Sequence, residues 1–253
     1  MKIAHIINVF EIHEKHKANY LHIAQPVTIQ SMIDARNNSN EGLGVDLYAV
    51  TDRNETVDMP DEFTMTKDLQ RCCYDVIDTL PKTKSFPLIG DILESLYHAS
   101  DADYFIYTNT DIGLFPNFYD FVEEKINEGF DALCINRRDM PKKVTGEIID
   151  EHNFQKVFDL KGIFHPGKDC FVFKRSLVSR MKLGNVFLGA PPVGGFLLDN
   201  IKRNATNFTL INGTSIAVPR LVTFHLGRDR DWKRRKNEYW VENRRQAKLC
   251  GFG

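Results

Sequence analysis

Apolar positions along the chain fall into two kinds of pattern. Short continuous runs at Met1–Phe10, Gly44–Asp52, Tyr104–Thr108, Asp131–Asn136 and Cys170–Phe173 read as buried strands. Between them lie helical spacings. Ile89, Ile92, Leu93, Leu96 and Tyr97 recur at i, i+3, i+4, i+7 and i+8, which predicts a helix over 89–99 with one face toward a core. Val27, Ile29, Met32 and Ile33 predict another from Pro26 to Arg36, with the proline in its first turn and a polar loop at 37–41. Phe115-Pro116 opens a third helix, running to about Glu128 and stopped by Gly129. Residues 59–65 read as a short strand and 68–80 as helix or loop. Strands alternating with helices imply an α/β domain whose central sheet is mostly parallel and flanked by helices.

The second half is less regular. Residues 162–169 read as a loop, Ser176–Lys182 as a short helix capped by Ser176, and Gly184–Gly195 as a Gly- and Pro-rich loop before a helix at Phe196–Ile201. Phe208–Ile211 and Ile216–His225 are later strand candidates. No repeat, low-complexity tract or linker interrupts the chain, so one domain over 1–253 is expected, with 1–136 and 137–253 as its halves.

Composition narrows the partners. A hydrophobic content of 42% can supply a real core, and a net charge of -1 argues against a globally basic nucleic-acid binder. The 5 cysteines form no C-x-x-C pair, which points to a reducing cytoplasm rather than a disulfide framework or structural zinc. No apolar run has the length of a signal or membrane-spanning segment, so a cytoplasmic location is expected. The triplets at Asn54, Asn204 and Asn212 match the glycosylation pattern but, without a secretory signal, read as coincidence. One region is strongly basic: Arg228, Arg230, Lys233, Arg234, Arg235, Lys236, Arg244, Arg245 and Lys248. Its helical part is suited to anionic lipid headgroups, a peripheral contact at the inner face of a membrane.

The candidate chemistry begins where the strand at 104–108 runs into Asn109-Thr110-Asp111. On an extended chain Asn109 and Asp111 share one face, and two oxygen ligands there suit a hard divalent cation able to hold phosphates. A lone N-x-D also serves as a strand end and Asx turn. His225 ends a later apolar strand and adds a nitrogen ligand acceptable to Mn²⁺, whereas Mg²⁺ prefers oxygen. Arg228 and Arg230 could neutralise a diphosphate. Asp169 precedes the strand at 170–173 and could bind sugar hydroxyls or acceptor, while Asp199 could take a hydroxyl proton as general base. Asp52, ending the second strand, could contact a nucleotide or cap a turn. The sequence contains no P-loop, dinucleotide fingerprint or nucleophile elbow.

Taken together, the amphipathic helix at 89–99, Tyr104–Asp111 and His225 before Arg228 make the chain resemble glycosyltransferases of the GT-A fold. Gly167–Phe173 and Phe224–Gly227 are also similar to proteins assigned to the nucleotide-diphospho-sugar transferases. The resemblance implies a Rossmann-like nucleotide-sugar-binding half before an acceptor half, and Mn²⁺ or Mg²⁺ bridging the diphosphate of a nucleotide-sugar donor. It places Asn109 and Asp111 at the D-x-D positions and His225 at a C-terminal metal-ligand position, with a saccharide or lipid-linked acceptor. Asn109 departs from the pattern by removing one negative charge. The alternatives are a nucleotidyltransferase of the same fold, disfavoured because Asn8–His13 is not a Gly-rich basic loop, and a non-catalytic nucleotide- or glycan-binding protein.

Overall fold

The computed structural model describes residues 1–14, 16, 20–140, 149–212, 222–226 and 237–253. Arg228 and Arg230, and most of the strand expected over 216–225, lie outside them.

The chain opens with β1 (Lys2–Asn8), α1 (Leu21–Asn37) and β2 (Gly44–Val50), the two strands pairing in parallel from Lys2 opposite Gly44 to Asn8 opposite Val50. Alternate residues of β1 serve two cores. Ile3 and Ile7 pack with Met32 and Ile33 of α1, while Ala4 and Ile6 join the opposite face. A parallel strand covered on both sides is therefore apolar throughout. Contrary to expectation, α1 starts five residues before Pro26. Proline has no N–H for the carbonyl four residues back, and burial of Ala24, Gln25 and Val27 offsets that lost bond.

β3 (Phe63–Met65) extends the sheet beside β2, and the segment read as helix or loop holds only the short α2 (Cys73–Val76). α3 (Ile89–Ala99) follows the apolar stripe and buries Ile89, Ile92, Leu93 and Leu96. β4 (Tyr104–Thr108) pairs with β1, and after a tight turn β5 (Ile112–Leu114) begins at once. The sequence pattern had no strand there. α4 (Phe118–Asn127) ends before Gly129, whose φ of +96° suits glycine.

Two further differences matter for the site. β6 (Ala132–Asp139) continues past Asn136, and β7 (Ile163–Lys174) includes the residues read as a loop. The causes are linked: the extended end of β6 supplies antiparallel partners, with Arg138 opposite Phe164 and Asp139 opposite Ile163. The register shifts on either side of Asn136, an irregularity that re-aims neighbouring side chains. A 3-10 turn at Arg175–Arg180 replaces the helix expected at 176–182 and is not capped by Ser176. α5 (Val193–Asn204), β8 (Phe208–Ile211), β9 (Thr223–His225) and α6 (Glu238–Leu249) complete the described elements.

The strand order is β3-β2-β1-β4-β7-β6-β9-β5, with β8 also on β6. β7 and β5 run antiparallel to their neighbours, and the remaining pairings are parallel. α1 and α4 cover one face, while α3, α5 and α6 contribute to the core on the other. This is the expected α/β architecture, a mostly parallel sheet flanked by helices.

Candidate active site at the end of strand four

β4 is wholly buried and ends at Thr108, so the residues after it emerge at the carboxyl edge of the parallel strands, where open α/β sheets bind ligands. Its last residue is anchored from below. Buried His5 contacts the Thr108 hydroxyl through Nε2 and the Tyr119 hydroxyl through Nδ1, both at 2.9 Å. From above, the Thr110 hydroxyl donates to Gln25 Oε1, and Gln25 also binds both the N–H and the carbonyl of Phe10. The strand end is thus tied to α4 and to the loop after β1.

Asn109 and Asp111 do not continue an extended strand. The N–H of Ile112 donates to the Asn109 carbonyl at 3.2 Å, closing a turn, and the two side chains take different partners. Pairing of β5 with β9 sets Ile112 opposite His225. Gly113 is opposite Phe224, whose ring occupies the space a Cβ at Gly113 would need, so the close strand approach requires glycine there. As a result His225 Nε2 lies 3.2 Å from Asp111 Oδ2, while Nδ1 lies 3.0 Å from Asp139 Oδ1.

A continuous polar network extends from this pair. Arg137 Nε donates to Asp139 Oδ1 and its Nη1 donates to Asp169 Oδ2, each at 3.0 Å. The Asn109 amide donates to Asp169 Oδ1 at 2.9 Å, and the Tyr107 hydroxyl donates to Asn109 Oδ1 at 3.0 Å. Gly167 admits this crowding, since a Cβ would come within 2.6 Å of Asp169 Oδ2.

The charges are strongly coupled. Burial disfavours a charged imidazole at His225, yet Asp111 and Asp139 outweigh it and raise its pKa to about 9. Burial likewise pushes the Asp111 carboxyl up, but His225 and Arg137 hold it below the ordinary value. Asp139 is lowered in the same way by His225 and Arg137 against burial. At Asp169 burial prevails over Arg137, and its pKa is raised.

Asp111 Oδ1 is buried and has no hydrogen-bond partner among the described residues, an acceptor with capacity left over. Among the described residues no three His, Cys, Asp or Glu side chains gather as a metal site. Asp111 and His225 could still serve a divalent cation as two ligands once the cation displaces the proton on His225 Nε2. Asp139 fixes one nitrogen of His225 and leaves the other toward Asp111, the usual way a carboxylate orients a ligating histidine. Substrate phosphates commonly complete such a shell. Asn109 has less to offer, because Tyr107 already occupies one of its oxygen's acceptor positions.

Other residues singled out in the sequence lie apart from this network. Asp52 turns back to accept from the N–H and the side-chain amide of Asn54, both at 2.9 Å. Half-buried Asp199 pairs with Arg203, one turn further along α5, at 2.8 Å. Sequence reasoning missed Tyr107, Arg137 and Asp139. The signal for the last two was the continuation Arg137-Arg138-Asp139 of an apolar strand, which looks like a strand ending in solvent until β7 is seen beside it.

The chain thus folds as a mostly parallel sheet flanked by helices, with acids placed at the carboxyl edge of its parallel strands. Among solved structures, the chain is similar to glucosyl-3-phosphoglycerate synthase from Mycobacterium tuberculosis bound to phosphoglyceric acid, with 15% identity and a TM-score of 0.53 over 100% of this chain and 81% of that one. The same synthase with Mn²⁺, uridine diphosphate and glucosyl-3-phosphoglycerate gives 16% identity and 0.51 over the same shares. Residues 1–349 of TarS from S. aureus, in complex with UDP-GlcNAc, give 10% identity and 0.52, covering 98% of this chain and 66% of that one. At these identities the likeness establishes the fold. No family model and no curated protein matches the chain.

Proposed function

We propose that the protein transfers a sugar from a nucleotide-diphosphate donor to a hydroxyl acceptor, saccharide or lipid-linked, with Mn²⁺ or Mg²⁺ held by Asp111 and His225. The observation carrying this reading is the convergence of Asp111 and His225 at the carboxyl edge of a GT-A sheet, with a buried carboxylate oxygen that has no partner among the described residues. Complexes of similarly folded proteins with Mn²⁺ and uridine diphosphate, and with UDP-GlcNAc, support the choice of ligands. When bound, the cation supplies electrostatic stabilisation of charge developing on the leaving diphosphate.

The chain's own residues prepare that site. Asp139 orients His225, Arg137 ties Asp139 to Asp169, and Asn109 contributes its remaining acceptor capacity at the rim. Arg228 and Arg230, outside the described residues, are our candidates for the diphosphate, and Asp52 for the nucleotide once it leaves Asn54. Asp169 has both oxygens engaged, and Asp199 would have to release Arg203 before taking a proton.

We place the protein in the cytoplasm. No helix among the described residues is long and apolar enough to cross a membrane. α6 exposes Val241 and Leu249 among Arg244, Arg245 and Lys248, a face suited to lying on anionic headgroups.

The test is release of nucleotide diphosphate from a panel of nucleotide sugars in the presence of hydroxyl acceptors and Mn²⁺. One donor should turn over, EDTA should stop it, and Asp111→Ala should lower the rate roughly 10²–10³-fold while the melting temperature is kept. Full turnover in that variant would remove Asp111 from the site. Pyrophosphate formed from a nucleoside triphosphate and a sugar phosphate would instead favour nucleotidyl transfer.

A further inference from the structure

Asn109 and Asp169 keep a spacing that two ionised carboxylates would not tolerate. The Asn109 amide lies 2.9 Å from Asp169 Oδ1, and the Asn109 N–H also donates to the Asp169 carbonyl at 3.1 Å. Like charges that close in a partly buried site disfavour each other's ionisation, so one member of the pair must be neutral. The outer ends of the link are equally defined: the Tyr107 hydroxyl donates to Asn109 Oδ1, and Arg137 donates to Asp169 Oδ2.

Both outer donors accept either chemistry. A hydroxyl or a guanidinium can donate to an amide oxygen or to a carboxylate oxygen. If N109D and D169N are introduced together, Tyr107 meets a carboxylate oxygen and Arg137 meets an amide oxygen. The new amide donates back across the same gap. No donor or acceptor in the chain of bonds is lost, and the number of carboxylates around Asp111 and His225 is unchanged.

We propose that Asn109 and Asp169 work as a single amide–carboxylate unit, reversible in order, that sets the Asn109–Asp111 turn and supplies a third carboxylate beside the Asp111–His225 pair. Asp169 is then a positioning residue. It reaches Asp111 through Asn109 and the turn, and reaches His225 through Arg137 and Asp139. This also accounts for an asparagine at the first position of N-x-D: the carboxylate it would otherwise carry stands across the strand pair on β7. The inference rests on reading Asp111 and His225 as cation ligands.

The experiment compares wild type, N109D, D169N and N109D/D169N by thermal unfolding and by Mn²⁺ titration followed through the electron paramagnetic resonance of the free ion. D169N should weaken Mn²⁺ binding about tenfold, the usual effect of losing an outer-shell partner. N109D should lower the melting temperature by placing two carboxylates face to face. The double variant should recover both quantities, with Mn²⁺ affinity within about threefold of wild type. Losses that add in the double variant would overturn the proposal, as would a double variant that fails to fold. Should either single variant fail to fold, a folded double variant would support it. Wild type that binds no Mn²⁺ would remove the cation reading itself, and the melting temperatures alone would then show whether the two positions are coupled.

Discussion

Two buried histidines stand on opposite sides of the end of β4, each engaged at both ring nitrogens, and what differs is the chemistry of their partners. His5 is enclosed by Tyr119 and Thr108, whose hydroxyls can serve a neutral ring, and desolvation pushes its pKa down to about 3. His225 is equally hidden from solvent, but Asp111 and Asp139 flank it and raise its pKa to about 9. Burial alone therefore does not predict protonation; the chemistry of the partners decides it. The neutral histidine is a structural pin between β1, β4 and α4, while the one held by carboxylates joins β9 to Asp111 at the carboxyl edge.

The largest effect should come from breaking the structural pin. His5→Phe leaves the Tyr119 and Thr108 hydroxyls buried without their partner and should cost about 3 kcal/mol in denaturant unfolding. The same variant changes the acid response. Because the folded pKa of His5 lies below its unfolded value, the unfolded chain takes up the proton first. Its contribution to stability is therefore lost as pH falls from about 6.5 toward about 3, by at most about 1.4 kcal/mol per pH unit. A stability profile in His5→Phe as steep as that of wild type over this window would contradict the assignment.

A smaller effect is expected on the other side. Asp139→Asn keeps the shape around His225 but removes one carboxylate, and Mn²⁺ affinity should fall about tenfold with little change in fold. An unchanged affinity would show that Asp139 does not orient His225. Smallest of all is Asp199→Asn. The solvent-screened i,i+4 pair with Arg203 should be worth no more than about 0.5 kcal/mol. A tenfold or larger fall in turnover at unchanged melting temperature would instead identify Asp199 as the acid that accepts the hydroxyl proton.

Much of the fold was legible because it depends on local patterning. The stripe from Ile89 to Tyr97 became α3, and the runs of apolar residues became β1, β2 and β4. What escaped depends on partners distant in sequence. Residues 163–169 contain His165-Pro166-Gly167, which reads as a loop until β6 supplies the facing strand. Pro26 looked like a helix start because the burial that carries α1 through it is tertiary. In the site, Asn109, Asp111, Asp169 and His225 were visible as polar residues at the ends of apolar runs. Arg137 and Asp139 were hidden because charged residues at a strand end ordinarily signal solvent, and only the bulged β6–β7 pairing turns them toward Asp169 and His225. Asp52 and Asp199 carried the same kind of signal and took local partners instead.

The central claim is that the Asp111–His225 pair holds the cation of a nucleotide-sugar donor. Its most direct test is the thermal stabilisation of wild type and Asp111→Ala by a panel of nucleotide-diphosphate sugars, each with Mn²⁺ and with EDTA. A ligand that binds only the folded state must raise its stability by mass action. The account predicts a rise in melting temperature with at least one donor, dependent on Mn²⁺ and lost in Asp111→Ala; an equal rise in EDTA or in the variant would contradict it.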